Sequence, residues 1–349
     1  MKTGFKTFLI CIVILFAGVG VLFSGVFLAQ QWGLLNVRGS IEERNSFFQN
    51  LAPRETDTTR NTILCKIRVL SGYSPLSAST FLDVYGQTGD GELLTTMLTV
   101  GARRFERTDI LREYERCTSA SQYIPTESVI TAFAWSETPE WSTLKGAFPK
   151  DVEVINRVAL ETGVPARLIV ASAVPEQLRF FNSNRESYKR YFEPLKLLGT
   201  LSQFSLGVTG IKPETAERVE EYANDPASPY YPGEGMAVLV GYGPEDKHDE
   251  VLYERLTDPD DHYYQYLYTA LYLKEIMRAW ETAGFPIDDN PGVLVTLFNL
   301  GFNKSVPKEN PETGGAPVTV GDTVYTFGQL GEEFYYSGEL VDLFVYPTR

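Results

Sequence analysis

Residues 163–180 read Gly-Val-Pro-Ala-Arg-Leu-Ile-Val-Ala-Ser-Ala-Val-Pro-Glu-Gln-Leu-Arg-Phe, and this run decides the fold. At helical spacing, Ile169, Ala173 and Glu176 fall on one stripe, so a carboxyl group stands on an apolar helix face. Because an ionised carboxylate is costly in apolar surroundings, the pattern predicts that Glu176 holds its proton more tightly than an exposed carboxyl does. That property suits a general acid working near neutral pH, and we interpret Glu176 as a catalytic residue.

Prolines and glycines divide the chain after residue 150 into helices. The spacing predicts a helix over 151–162 that ends at Gly163, and a second helix with Pro165 in its first turn. Pro175 lacks an amide donor, so we expect it to kink or end that second helix. Later elements are predicted as helices from Pro213, over Tyr263–Trp280 and over Gly292–Gly301, and as a hairpin turning at Gly321-Asp322.

Two stretches are predicted to be irregular. Residues 86–91 read Gly-Gln-Thr-Gly-Asp-Gly and are expected to form a loop, without the strand and the Lys-Ser/Thr pair of a phosphate-binding loop. Residues 224–247 are rich in Pro, Gly and Tyr and are expected to form a long surface insertion.

The composition restricts the class of function. The 349 residues include 45 acidic and 31 basic side chains, and the net charge of −14 argues against a general nucleic-acid-binding protein. The high aromatic content suits stacking on sugar rings and suits a tyrosine-rich core equally well. The acidic segment 258–262 is compatible with a cation site, but it better suits the cap of the helix that follows. We predict no metal and no cofactor.

The amino-terminal segment is predicted to anchor the protein in the bacterial cytoplasmic membrane. Residues 8–29 are apolar apart from Ser24, and as a helix they would be about 33 Å long, enough to cross a hydrocarbon core. Lys2 and Lys6 precede the run, which favours a cytoplasmic amino terminus and an extracytoplasmic remainder. A cleaved signal peptide is the alternative.

We divide the chain into a transmembrane anchor at 1–30, a helical accessory module at 31–150 and a catalytic domain at 151–349. The accessory module contains Cys65 and Cys117, which either pair or remain as two buried thiols. A disulfide between them would stabilise the fold by about 4 kcal/mol in the chain-entropy model.

Four short motifs are spread over residues 150–305. They are Gly163-Val164-Pro165 through Glu176, Ser205-Leu206-Gly207 through Ile211-Lys212-Pro213-Glu214-Thr215-Ala216, Tyr272-Leu273, and Phe298-Asn299-Leu300-Gly301. In this order they resemble the catalytic domain of the soluble lytic transglycosylase family. The resemblance implies a mainly α, lysozyme-like α+β domain with a small β-hairpin. Gln177 stands where the family has Ser, Gly210 where it has Gln, and Phe298 where it has Tyr.

The resemblance also implies a substrate and a mechanism. In this family a single Glu cleaves the bond between N-acetylmuramic acid and N-acetylglucosamine in peptidoglycan and closes a 1,6-anhydro ring, and here that residue would be Glu176. The implied partners are peptidoglycan glycan strands, with no nucleic acid and no identified protein. The implied substrate-binding residues are Gln177, Ser205, Gly207, Ile211, Tyr272, Phe298 and Asn299.

Three other interpretations stay open on the sequence. A domain that has lost catalysis would bind the cell wall without releasing fragments. A lysozyme-type hydrolase on the same fold would need a second carboxylate, for which Glu186, Glu193 and Glu214 are candidates. A structural component of an envelope assembly would use residues 31–150 to bind its partner.

Overall fold

The part of the chain that the structure describes begins after the predicted anchor. The computed structural model describes residues 57–105, 110–117, 131–192, 208–258 and 260–347, with the backbone alone for 180–192. The predicted membrane-spanning run at 8–29 therefore lies outside the described residues. Within those ranges no helix is both long and apolar enough to cross a membrane.

The described ranges form thirteen α-helices and one two-stranded antiparallel sheet. The prediction of a mainly α fold is therefore confirmed. The first seven helices are α1 (Asp57–Tyr73), α2 (Pro75–Thr88), α3 (Gly91–Ala102), α4 (Ile110–Glu115), α5 (Pro139–Ala147), α6 (Val152–Thr162) and α7 (Ala166–Phe192). The remaining elements are α8 (Pro213–Ala223), α9 (Met236–Leu239), α10 (His248–Thr257), α11 (Tyr263–Thr282), α12 (Pro291–Leu300), β1 (Pro317–Val320), β2 (Thr323–Thr326) and α13 (Phe327–Ser337).

Most of the predicted boundaries after residue 150 are confirmed. Helix α6 ends at Gly163, which adopts φ +75°, a left-handed conformation that glycine enters without strain. Helix α8 has Pro213 at its first position, where a missing amide donor costs nothing. Asp261 accepts a hydrogen bond from the amide of Tyr263, the first residue of α11, while His262 in the N-cap position makes no side-chain capping bond.

Two local predictions were wrong, the end of the helix at Pro175 and the loop over 86–91, whereas the alternative of a kink at Pro175 stays a prediction. Pro175 does not end α7, which continues to Phe192; Pro175 and its neighbours Val174 and Leu178 are buried, and this apolar burial offsets a lost hydrogen bond. The loop predicted at 86–91 is only two residues long, because α2 extends to Thr88 and α3 begins at Gly91. The stretch 224–247 is irregular, as predicted, apart from the single turn α9.

The predicted boundary near residue 150 stays a prediction, but the residues on its two sides share a core. Helix α3 packs against α13, and α5 packs against α7. The buried Trp135 donates its indole hydrogen to Glu333 over 3.1 Å. Farther from this junction, Cys65 of α1 and Cys117 are joined by a disulfide, with 5.7 Å between their Cα atoms.

Helices α7 and α13 pack against each other in antiparallel directions. At one end, the fully buried Arg167 donates to the carbonyls of Phe334 and Tyr335 in the last turn of α13, at 3.1 and 2.7 Å. At the other end, the Arg179 guanidinium lies 5.9 Å from the ring of Phe327, the first residue of α13. Arg167 thus supplies positive charge and donors to a helix C-terminus, where both are favourable.

Two glycines allow α13 to approach its neighbours. A Cβ on Gly331 would lie 2.9 Å from the Ala171 carbonyl of α7. A Cβ on Gly328 would lie 2.7 Å from the Gly292 carbonyl of α12 and would overlap the Thr296 hydroxyl. Since backbone atoms of packed helices cannot move away easily, both positions require glycine.

We predict that Gly328→Ala lowers the free energy of unfolding by roughly 1–3 kcal/mol, as overpacking of a filled interior does. The matched control is Gly146→Ala in α5, where nothing lies within 4 Å of the added methyl group. That control should stabilise the protein by about 0.5–1 kcal/mol, since alanine is the better helix former. Urea denaturation of the three proteins measures both effects, and equal midpoints for the two variants would contradict the packing argument.

Glu333 is a buried carboxyl group at the same junction. Gln329 donates to one of its oxygens over 2.9 Å, and Trp135 donates to the other. Burial raises the pKa of Glu333 to about 7, against the opposing effect of these two hydrogen bonds. The native state consequently binds more protons than the unfolded chain between pH 4.5 and 7.

This proton uptake predicts a pH dependence of stability. The contribution of Glu333 to the free energy of unfolding should fall by about 3 kcal/mol as the pH rises from 4.5 to 7, and should stay constant above that. Glu333→Gln should remove this slope, whereas Glu153→Gln, on the exposed face of α6, should keep it. Urea denaturation across pH 4.5–8.5 measures the difference; an unchanged slope in the Glu333 variant would refute the assignment.

Candidate functional site

Glu176 lies on α7 and its carboxylate is paired with a guanidinium. Arg179, one helical turn further along, donates through Nη2 to both oxygens of Glu176, at 2.6 and 2.7 Å. The Glu176 side chain is 18% exposed and the Arg179 side chain 44% exposed, so the pair stands at the surface. Glu176 was expected to have apolar surroundings, but a guanidinium on the same helix contacts its carboxylate.

The backbone of Gly210 closes the other side of the Glu176 carboxyl group. A Cβ built on Gly210 would lie 2.6 Å from both Cδ and Oε1 of Glu176, and the residue adopts φ +65°. A side chain at position 210 would force the Glu176 carboxyl group to move and would strain the backbone, whose φ is positive. The sequence difference at 210, glycine where the family has glutamine, thus has a steric reason in this protein.

Two buried glutamines hold the turn that carries Gly210. Gln177 donates its amide to the Val208 carbonyl over 2.5 Å, and Gln265 of α11 accepts from the Val208 amide over 2.6 Å. Gln265 also donates to the Asp258 carbonyl over 3.0 Å. Both amide side chains are almost fully buried, so Gln177 contacts the turn and does not face solvent, although substrate binding was predicted for it.

Aromatic rings connect the Glu176 pair to the later motifs. The ring of Phe327, beside Arg179, stacks on Phe298 with 6.4 Å between ring centroids. Phe298 in turn lies 5.3 Å from Tyr272. Phe298 and Tyr272 are buried, so their rings form the floor beneath the site and do not line its surface.

The other predicted substrate-binding residues occupy different positions. Asn299 is half-buried at the end of α12 and accepts from the Ala316 amide over 2.8 Å, which fixes the segment that enters β1. Ile211 is half-buried and directly follows Gly210. Ser205 and Gly207 lie outside the described residues.

The structure adds three residues that the sequence reasoning did not select. Arg179 was detectable, because a residue three positions after Glu176 shares its helix face. Gln265 and Phe327 gave no comparable signal, since each reaches the site only through the packing of α11 and α13.

A second polar cluster lies on the opposite flank of the Val208 turn. Asp151 accepts hydrogen bonds from Nδ1 of His262 over 2.9 Å and from the Tyr266 hydroxyl over 2.8 Å. With Val208 and Phe148 they line a cavity of about 50 Å³. Burial opposes the charge on the imidazole, but the hydrogen bond to Asp151 prevails and raises the pKa of His262.

A third cluster surrounds Glu220 on α8. Its carboxylate accepts from the hydroxyls of Tyr242 and Tyr268 and lies 2.7 Å from Nε2 of His248. The hydrogen bond with Glu220 raises the pKa of His248. Because Glu220 and its three partners come from four segments, we interpret the cluster as the attachment of 224–257 to α11.

No part of the described chain brings together three or more His, Cys, Asp or Glu side chains in a way that could hold a metal ion. Comparison of the chain with models of protein families, with curated proteins and with solved structures finds no match.

We predict that Gln265→Leu loosens the turn beside Glu176. The substitution leaves the buried Val208 amide without an acceptor, which costs about 1–3 kcal/mol. Amide hydrogen exchange at 208–211 should accelerate at least tenfold, with the protection of α12 unchanged as the internal control. Exchange at 208–211 equal to that of the wild-type protein would show that Gln265 does not hold the turn.

Proposed function

We propose that this protein is a membrane-anchored peptidoglycan lytic transglycosylase with Glu176 as its single acid and base. The observation that carries the proposal is the contact between the Glu176 carboxyl group and the Gly210 backbone. These residues belong to two motifs that are 34 positions apart in the sequence, and a carboxyl group held against a fixed backbone turn is oriented for proton transfer.

The order of the helices supports a lysozyme-like assignment for residues 151–349. Helix α7 carries the acid, the turn at 208–210 lies against it, and α11 and α12 carry the two later motifs. The disulfide between Cys65 and Cys117 supports an extracytoplasmic location, because such bonds persist in oxidising compartments. With the apolar run at 8–29 as the anchor, the domain would face the cell wall.

In the proposed reaction, the Glu176 carboxyl group donates its proton to the oxygen between N-acetylmuramic acid and N-acetylglucosamine as the bond from the muramyl C1 to that oxygen breaks. The resulting carboxylate then takes the proton of the muramyl C6 hydroxyl, whose oxygen bonds to C1 and closes the 1,6-anhydro ring. The residue ends protonated, as it began. An internal nucleophile has a high effective concentration, which removes the need for a second carboxylate.

One observation favours a second candidate, a peptidoglycan-binding domain without catalysis. Both Glu176 oxygens accept hydrogen bonds from Arg179, so the carboxyl group is engaged within the protein and is not presented to a glycan. Such a domain would bind the polymer and release no fragments.

We predict that the full-length protein in detergent releases anhydro-muropeptides from purified peptidoglycan, and that Glu176→Gln reduces the rate at least 100-fold, as the loss of general acid–base catalysis does. Mass spectrometry of the products is the measurement, and Glu217→Gln, on the exposed face of α8, is the control. Reducing-end products would favour a hydrolase. Binding without any product would favour the non-catalytic domain, and full activity of the Glu176 variant would refute the proposal.

A further inference from the structure

The Arg179 guanidinium has donors that the Glu176 carboxylate does not use. The contact to Glu176 is made by Nη2 alone. Within the described part of the chain, Nε and Nη1 have no hydrogen-bond acceptor, and the side chain is 44% exposed. A guanidinium with free donors in a fixed plane is the group that best binds a carboxylate from solution.

Arg179 has one aromatic neighbour that does not depend on its contact with Glu176. The Phe327 ring lies 5.9 Å from its central carbon, within the range of a cation–π contact. Phe327 is fully buried and begins α13, so it is a rigid support. Arg179 can therefore exchange one carboxylate partner for another without leaving the aromatic surface.

The pair also poses a chemical conflict within the proposed function. A general acid must present its carboxyl group to the substrate, but Arg179 occupies both carboxyl oxygens of Glu176. Arg179 must leave Glu176 before proton donation, and another anion must then balance its charge. A carboxylate on the substrate meets both requirements, because it displaces Glu176 from Arg179 and balances the charge of the guanidinium. Glu176 then takes a proton from solvent. The net charge of the two side chains and the ligand carboxylate rises only by that proton.

We propose that Arg179 binds a carboxylate of the substrate, and that this carboxylate displaces Glu176 from Arg179. The inference rests on the proposed function for the role of Glu176 as an acid. It makes the preferred substrate a glycan with free carboxylates on its peptide substituents. A glycan whose peptide carboxylates are all amidated would leave the Glu176–Arg179 pair closed.

The test measures binding of a ligand that the proposed reaction does not cleave. The disaccharide N-acetylglucosamine–N-acetylmuramic acid with its attached peptide lacks the bond that is broken. It is used in two forms, with the peptide carboxylates free and with all of them amidated. Calorimetric titration of the full-length protein in detergent gives the affinity for each form.

Three variants report on the exchange. Arg179→Gln should weaken binding of the free-carboxylate form about tenfold or more and leave the amidated form unchanged. Arg179→Lys should keep part of the preference, since it keeps the charge and loses the planar fork. Glu176→Gln should tighten binding of the free-carboxylate form, because it removes the internal competitor.

The matched control is Arg278→Gln. Arg278 pairs with Glu281 at the same i,i+3 spacing and the same 2.6 Å distance, and both side chains are exposed at the far end of α11. This variant removes the same charge and should change neither affinity.

The outcomes separate this proposal from the proposed function. Equal losses for both ligand forms in Arg179→Gln, or no loss, would overturn the exchange, as would unchanged binding in Glu176→Gln. If carboxylate-dependent binding is found and the cleavage assay yields no product, Arg179 binds the carboxylate and the proposed catalysis fails. If cleavage is found and the affinity is the same for the free-carboxylate and the amidated ligand, the proposed function stands without the exchange.

Discussion

The antiparallel contact between α7 and α13 is the constraint on which the candidate site depends. Arg167 fixes one end of this contact by donating to the carbonyls that end α13, and Gly331 brings the helix axes together in the middle. The other end then places Phe327 beside Arg179, one turn after Glu176. Because interiors are close-packed, a small outward shift of α13 would remove the support of the Glu176–Arg179 pair.

Glu176 is held from a second direction by the backbone of the turn that carries Gly210, and not by side chains. Gln177 and Gln265 satisfy both polar groups of Val208, and the turn they hold presents Gly210 to the carboxyl group. The Gln265 amide has two partners and the Gln177 amide has one, so hydrogen bonds join the turn to both α11 and α7. In the proposed function, this fixed backbone close to Glu176 would lower the reorganisation that catalysis requires.

The interior tolerates ionisable groups in two different ways. Arg167 keeps its charge, because carbonyl oxygens surround the guanidinium. Glu275 on α11 has no hydrogen-bond partner among the described residues, and burial raises its pKa well above the usual range. Glu176 follows neither course, since it lies at the surface and pairs with Arg179.

Local sequence determined most helix boundaries after residue 150 and the hairpin at Gly321, because proline, glycine and apolar periodicity act over a few residues. The same local pattern selected Glu176 as the candidate acid. It failed at Pro175, where burial outweighed a local cost. Arg179 follows Glu176 by one helical turn and is a local partner. Tertiary structure alone decided the rest of the site: Gly210 reaches Glu176 through buried amides on α7 and α11, and Phe327 supports Arg179 through the packing of α13. Contacts between residues so far apart in the chain depend on how whole helices fill space, which no short pattern encodes.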